Sequence, residues 1–499
     1  MLADFRKLFR QSAIYGLGTF STKLAGFVLI PVYTDCFTVA QFGILGLLEV
    51  TTAVVMAFFG LSLYSAFFRW YWDPSTEGKR ESLFFTVVIF QIAVAIFAYF
   101  AVFPFLKNLS MLILGSADYT YLFRLMLISS LIQLVLIMPN TLLRLQEKPW
   151  LFTLANVVQL TFGLLVTIYF VAYRHSGLEG IFYGQIVGSI AFAIALSRYS
   201  LKNMAFRFES KLLKDMLAFC LPLFMSGVAL VLFNVTDRYS INSLGKISDV
   251  GLYSYGFKLA NTLNVFLITS INFAIQPMIF RMMNSTSNKR FYAKLMTYYT
   301  LFIMGVGLAM MIFGMEITKL FARRVEYYSA WTIFPFIIFS IVFGMMKDMS
   351  ITGLSITKKT KIIAMGVLVV TLLNLVLNNV LIRIMGNQGA ALSKLLSMLV
   401  FFWIMMHYAQ KAYPIPYEGR RLAVILLSAA GLYLFSTLFN PWPTLPRLVA
   451  KSFLTLSYPF ILYLLKFYEP VEIDRIRTGL RLWSNPSALK ENIKRMINQ

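Results

Sequence analysis

The sequence predicts an all-α integral membrane protein of about 14 transmembrane helices: two six-helix bundles, then two further helices. Three observations carry that prediction. Hydrophobic residues make up 59% of the 499 and charged residues only 13%, about half the ~25% of ordinary soluble domains. Apolar segments of about 20 residues, each long enough to cross a hydrocarbon core of about 30 Å as a helix, recur from end to end. The basic residues concentrate on alternate connections, the positive-inside pattern of cytoplasmic loops.

The apolar segments run over 11–33, 41–68, 82–106, 118–140, 150–173, 178–198, 216–237, 250–279, 293–319, 329–356, 362–383, 388–410, 421–439 and 444–468. Basic residues flank the first, but it is too long for a signal-peptide core and no small-residue cleavage pattern comes after it, so it stays as a helix. With the N-terminus inside, Arg6/Lys7/Arg10, Arg198 to Lys214, Arg281 to Lys294, Lys358/Lys359/Lys361 and the tail after Lys466 all fall on the inner side. Both termini are then cytoplasmic. The net charge of +24 reflects topology, which makes anionic membrane lipid the partner rather than nucleic acid. Cys36 and Cys220 have no paired spacing and His175 and His407 stand alone, so no disulfide framework, metal site or cofactor is indicated.

In the first segment Ser12, Gly16, Thr19, Lys23 and Gly26 share one helical face. Small-residue packing explains the glycines. It does not explain Lys23, roughly 15 Å from water along the axis, which points to a wet cavity. Segment two carries Glu49 about two turns in. Segment four holds Arg124, Ser130, Gln133 and Asn140, and segment five Asn156, Gln159, Gly163 and Thr167, each set on a single face as a polar interior requires. Arg124 is close enough to the outer surface for snorkelling to compete with cavity lining.

The polar connection 199–215 divides the chain, and the sequence faintly repeats across it. Phe42-Gly43 finds Val250-Gly251 at an offset of 208, and Gly177-Leu178-Glu179-Gly180 finds Gly386-Asn387-Gln388-Gly389 at 209. Six spans per unit is an even number, so both halves enter in one orientation, related by an axis along the membrane normal. The expected organisation is a first bundle over 1–198, the linker 199–215, a second bundle over 216–410, an appended pair over 411–468 and a basic amphipathic tail over 469–499 that rests on the inner leaflet.

Charge inside these segments is a functional signal, since each such group costs about 2.5–3.5 kcal/mol at a bilayer centre. Segment eight has the clearest polar stripe, Ser254, Lys258, Asn261, Asn272 and Gln276. For the amides, interhelical hydrogen bonding competes with a cavity role; Lys258 is harder to assign to packing. Asp237 and Arg238 are expected at the end of segment seven, where Arg238 suits the helix dipole and Asp237 pairs with it or with a neighbour, a helix-end role that competes with ion coupling by Glu49 and Asp237. Lys394 lies about a turn and a half from the outer end of segment twelve, between surface contact and cavity lining.

Several stretches carry a family likeness. Thr22-Lys23-Leu24-Ala25-Gly26-Phe27 with Pro31, Gln41-Phe42-Gly43, Asn234 with Asp237-Arg238-Tyr239, Asp249-Val250-Gly251-Leu252-Tyr253-Ser254, and Gly386-Asn387-Gln388-Gly389-Ala390-Ala391 together resemble the bacterial polysaccharide transporter family. These are the O-antigen flippases of the multidrug/oligosaccharidyl-lipid/polysaccharide superfamily. The resemblance implies two bundles around a central cavity and a non-enzymatic function in the bacterial inner membrane. That function is to flip undecaprenyl-diphosphate-linked repeat units of O-antigen, capsule or exopolysaccharide from the cytoplasmic to the periplasmic leaflet. It implies further partners too: a polysaccharide polymerase, chain-length machinery and a coupling ion.

By helix and depth, Lys23 and Lys258 would correspond to basic residues in the first and eighth helices of the related lipid II flippases. They would contact the diphosphate, with Arg124 and Lys394 assisting and Asn261, Asn272 and Gln276 receiving sugar. Two alternatives stay open. A cation-coupled multidrug exporter of the same fold would use buried acids, for which the chain offers Glu49 and Asp237. An integral-membrane polymerase or glycosyltransferase would need a sizeable outer loop with catalytic acids, and every outer loop here is short.

Overall fold

A computed structural model describes residues 26–282, 288–357 and 359–474, and among them it contains helices and no strand. Ten helices are long and apolar enough to cross a membrane, and Gly26–Cys36 is a shorter apolar one. Within the described residues each predicted apolar segment coincides with helix, although several are broken rather than straight.

The first half comprises α1 (Gly26–Cys36), α2 (Val39–Gly60), α3 (Leu63–Tyr71), α4 (Arg80–Val102), α5 (Leu106–Leu114), α6 (Thr120–Leu145), α7 (Pro149–Ile168) and α8 (Glu179–Lys202). Leu61 and Ser62, both at positive φ, separate α2 from α3. After the linker come α9 (Ser210–Leu244), α10 (Ile247–Ala260), α11 (Thr269–Met282), α12 (Asn288–Ile312), α13 (Gly314–Phe321), α14 (Phe334–Ile356) and α15 (Thr360–Ala412). Gly386, at φ 57° and ψ −130°, breaks α15 into two arms. They fold back on each other, so that the Asn374 amide donates to Ser393 and Ser397 hydroxyls at 3.2 and 3.3 Å. The chain closes with α16 (Gly419–Ser436), α17 (Thr444–Leu456) and α18 (Tyr458–Leu464).

These helices form two compact units. The first holds the described residues up to Asn288 together with Gly314–Ile415; the second holds Lys289–Phe313 and the helices after Pro416. In the second unit an ion cluster ties α12 to α16 and to the segment beyond α18. The Lys294 ammonium meets Glu418 at 2.7 Å and also Glu469, while Arg421 bridges Glu418, Glu469 and Glu472.

The repeated motif has a structural reason in the first unit. Thr38 and Gln41 close a capping box at the start of α2, the Thr38 N–H donating to Gln41 Oε1 at 2.9 Å. At the start of α10 the Lys246 N–H donates likewise to Asp249 Oδ2 at 2.9 Å, which satisfies an otherwise orphaned helix-end donor. The next residue of each motif, Phe42 or Val250, is fully buried, and Phe42 meets the rings of Tyr255 and Tyr327 edge-on.

The glycines then let α2 and α10 touch. A Cβ on Gly43 would lie 2.1 Å from the Ile247 carbonyl oxygen, and one on Gly251 would lie 1.9 Å from that of Val39. Reciprocal contact between positions one repeat apart is the geometry expected of a twofold axis running between the two helices. Gly251→Ala is therefore expected to lower unfolding stability in detergent by ~1–3 kcal/mol through overpacking. Gly431→Ala, inside α16 where an added Cβ meets nothing within 4 Å, should instead raise it by ~0.5–1 kcal/mol through helix propensity.

Candidate functional site

The site is built where α2 and α10 diverge from that contact. Two turns beyond Gly43, Glu49 Oε1 meets Lys258 Nζ at 2.6 Å, with the Lys258 side chain 25% exposed and that of Glu49 38%. The ammonium also lies 5.2 Å from the Phe42 ring centroid, close enough for a cation–π contact. The two residues are 209 positions apart, so the repeat places a carboxylate in one half against an ammonium in the other.

Two cavities open on this pair, sharing Gly26, Glu49 and Lys258. The first, about 450 Å³, is walled by α6, α7 and α8 with uncharged polar residues: Gln133, Asn156, Gln159, Thr167 and Gln185. Its floor is the α7–α8 crossing, where Gly163, Gly184 and Gly188 bring backbones into contact. The second, about 390 Å³, lies between α1, α9 and α10 and the turn beyond, lined by Phe27, Arg238, Phe257, Asn261, Thr262 and Val265 among others.

The sequence places Arg238 at a helix end, and the structure corrects this. Helix α9 runs on to Leu244, so Arg238 sits well before the last turn and makes no helix-dipole contact. Its Nε donates to Ser254 Oγ at 3.0 Å and its guanidinium lies 4.9 Å from the Phe257 ring centroid. The terminal nitrogens make no hydrogen bond among the described residues, and the side chain lines the second cavity. Among the described residues, that cavity thus carries two cationic groups, Arg238 and Lys258, against one carboxylate, Glu49.

Asp237 turns the other way. It is 1% exposed and Lys394 4%, and their charged groups meet at 3.3 Å. The carboxylate also accepts from the Tyr253 hydroxyl at 3.0 Å and from the Asn378 amide at 3.3 Å. Lys394 donates to the Phe233 carbonyl at 2.7 Å and lies 3.9 Å from that residue's ring centroid. The ion pair joins α9 to the second arm of α15, and Lys394 lines neither cavity. The sequence leaves Lys394 between surface contact and cavity lining, and the structure places it in neither position but in the buried core.

The remaining candidates separate. Arg124 is exposed, lies 5.5 Å from the Phe103 ring centroid and lines neither cavity. Asn261 lines the second cavity. Asn272, predicted on the same stripe, lies past a π-helical turn over Leu263–Ile268, sealed by the Thr269 hydroxyl on the Asn264 carbonyl at 2.9 Å. The extra residue of such a turn rotates the later positions by about 100°, so the expected face does not continue unbroken. Lys23 and the Gln276 side chain lie outside the described residues, as does the basic tail beyond residue 474.

Comparison with known proteins decides the family. A match to the family described as polysaccharide biosynthesis protein spans residues 8–283, more than half of the chain. The chain belongs to that family. No curated protein sequence matches it. Among solved structures it is similar to lipid II flippase MurJ in an inward closed conformation, with a TM-score of 0.68 at 14% identity, covering 90% of this chain and 99% of the other. It is also similar to an inward-facing multidrug resistance MATE family transporter of the MOP superfamily, TM-score 0.63, 14% identity, covering 83% and 95%. The Vibrio cholerae MATE transporter VcmN in its bent form gives 0.52 at 14% identity, covering 84% and 98%. At this identity the likeness establishes a shared fold, that of a multi-pass membrane protein.

Proposed function

We propose that this family member is a flippase that moves undecaprenyl-diphosphate-linked oligosaccharide from the cytoplasmic to the periplasmic leaflet by alternating access. It would work in the bacterial inner membrane with both termini inside. The observation that carries the reading is the second cavity, where Arg238 and Lys258 outnumber Glu49 within apolar segments. A diphosphate drawn through lipid needs cationic partners. Arg238 offers its terminal N–H groups in the forked geometry that matches phosphate oxygens, and Lys258 adds a movable point charge.

Glu49 gives the pair a second use. When the carrier is empty, its carboxylate neutralises Lys258, so the return step does not move a bare cation through a low-dielectric path. When substrate enters, phosphate oxygens replace Glu49 as the partner of the ammonium. The multidrug-exporter reading would draw on Glu49 and Asp237, and both are engaged with lysines here.

The test is reconstitution into vesicles loaded with lipid-linked glycan extracted from the source organism. The glycan on the inner leaflet should become accessible to an impermeant lectin at a rate above that of protein-free vesicles. Unchanged protection in vesicles that hold folded protein would sink the reading.

A further inference from the structure

We infer that the first cavity is the glycan subsite, taking an uncharged, hydroxyl-rich sugar between α6, α7 and α8; this rests on the flippase reading above. Gln133 of the segment-four stripe, the segment-five stripe and Gln185 of α8 supply it. Ser129 organises the wall: its hydroxyl donates to Gln185 Oε1 at 2.8 Å and accepts from Gln133 Nε2 at 3.0 Å. Asn156 is held through its amide nitrogen by the Phe152 carbonyl at 2.7 Å. The Gln159 side chain lines the cavity and makes no hydrogen bond among the described residues.

These bonds leave free a set of both kinds. Among the described residues, Gln133 Oε1 and Asn156 Oδ1 remain as acceptors, Gln185 Nε2 as a donor, and the Gln159 amide as both. Sugar hydroxyls donate and accept at once, so they can satisfy such a wall, whereas a phosphate could use only its donors and an ammonium only its acceptors. Among the described residues, the only charged ones lining the cavity are Glu49 and Lys258, already paired with each other. The volume of about 450 Å³ falls in the ~300–1,000 Å³ range of small-ligand sites. Because the second cavity meets this one at Lys258, a diphosphate held there would present its sugar to the amides. The glycan is thereby assigned to the first half of the chain, away from the Asn261 to Gln276 stripe.

The experiment measures binding to the purified full chain in detergent by native mass spectrometry. Four probes are compared: undecaprenol, undecaprenyl diphosphate, the lipid-linked glycan extracted from the source organism, and that extract after mild periodate opening of its sugar diols. The intact glycan should bind about tenfold tighter than undecaprenyl diphosphate, and periodate should erase the gain. The Gln159→Leu/Gln185→Leu variant should lose the same gain while its affinity for undecaprenyl diphosphate stays at the wild-type value. A gain that survives in that variant, or no gain in the wild type, overturns the assignment. If the double variant does not fold, Gln159→Leu alone decides, since it breaks no existing hydrogen bond. Undecaprenyl diphosphate binding no better than undecaprenol would instead bring down the flippase reading and the subsite with it.

Discussion

Lys394→Met is expected to destabilise the protein by about 3–5 kcal/mol, the usual result of stripping one partner from a buried ion pair. Lys394 is almost wholly enclosed, and with it gone the Asp237 carboxylate keeps, among the described residues, the Tyr253 hydroxyl and the Asn378 amide. Two neutral donors do not repay the desolvation of a carboxylate. Adding Asp237→Asn to Lys394→Met should recover most of the loss, because the buried charge goes too and the side-chain oxygen still accepts from Tyr253. Asp237→Asn alone should also destabilise, by leaving the buried ammonium with neutral acceptors and no compensating charge. Thermal unfolding of the three variants in detergent closes the cycle. Equal stability of Lys394→Met and wild type would mean that the pair holds nothing together.

That pair marks the reach of a one-dimensional reading. The membrane class is legible because apolar length and basic-loop asymmetry are one-dimensional signals, and the Gln41-Phe42-Gly43 and Asp249-Val250-Gly251 motifs are legible as a repeat. Lys258 stands out as a cation inside a lipid-length segment, and it does line both cavities. Its partner stays hidden when each span is treated separately. The repeat offset of 208 to 209 is nonetheless the signal: residues one repeat apart on α2 and α10 face each other, and Glu49 with Lys258 is one such couple.

Arg238 is misplaced for a different reason. Hydropathy drops after Val235, while the helix continues for two turns through Tyr239, Ser240 and Asn242 because those residues are packed against protein. The Tyr239 hydroxyl meets Thr51 at 2.9 Å, and Asn242 donates to the Ile113 carbonyl at 2.6 Å. Hydropathy marks the end of a lipid-facing stretch and does not mark the end of a helix. Lys394 cannot be told from a surface lysine by sequence, since its partner lies on another helix far away in the chain.

Lys258→Met is expected to cut glycolipid transport about a hundredfold while changing stability by no more than ~1 kcal/mol, as for other partly exposed pairs. A charge-assisted contact to phosphate of about 2.7 kcal/mol lost at the rate-limiting step gives that factor, at 1.36 kcal/mol per decade. Lys258→Arg should retain transport in large part. Glu49→Gln separates this account from one in which the pair is only a strut between α2 and α10. A strut would lose stability and transport together in either variant. If Glu49 is instead the counterion that phosphate displaces, its removal frees Lys258 in advance. Undecaprenyl diphosphate should then bind about tenfold tighter to Glu49→Gln, a gain of ~1.4 kcal/mol. Turnover should fall, because the loaded state is deeper and the empty carrier must return with an unpaired ammonium. Opposite signs for binding and turnover in one variant, measured on the same reconstituted protein, are the outcome that a structural role for the pair does not produce.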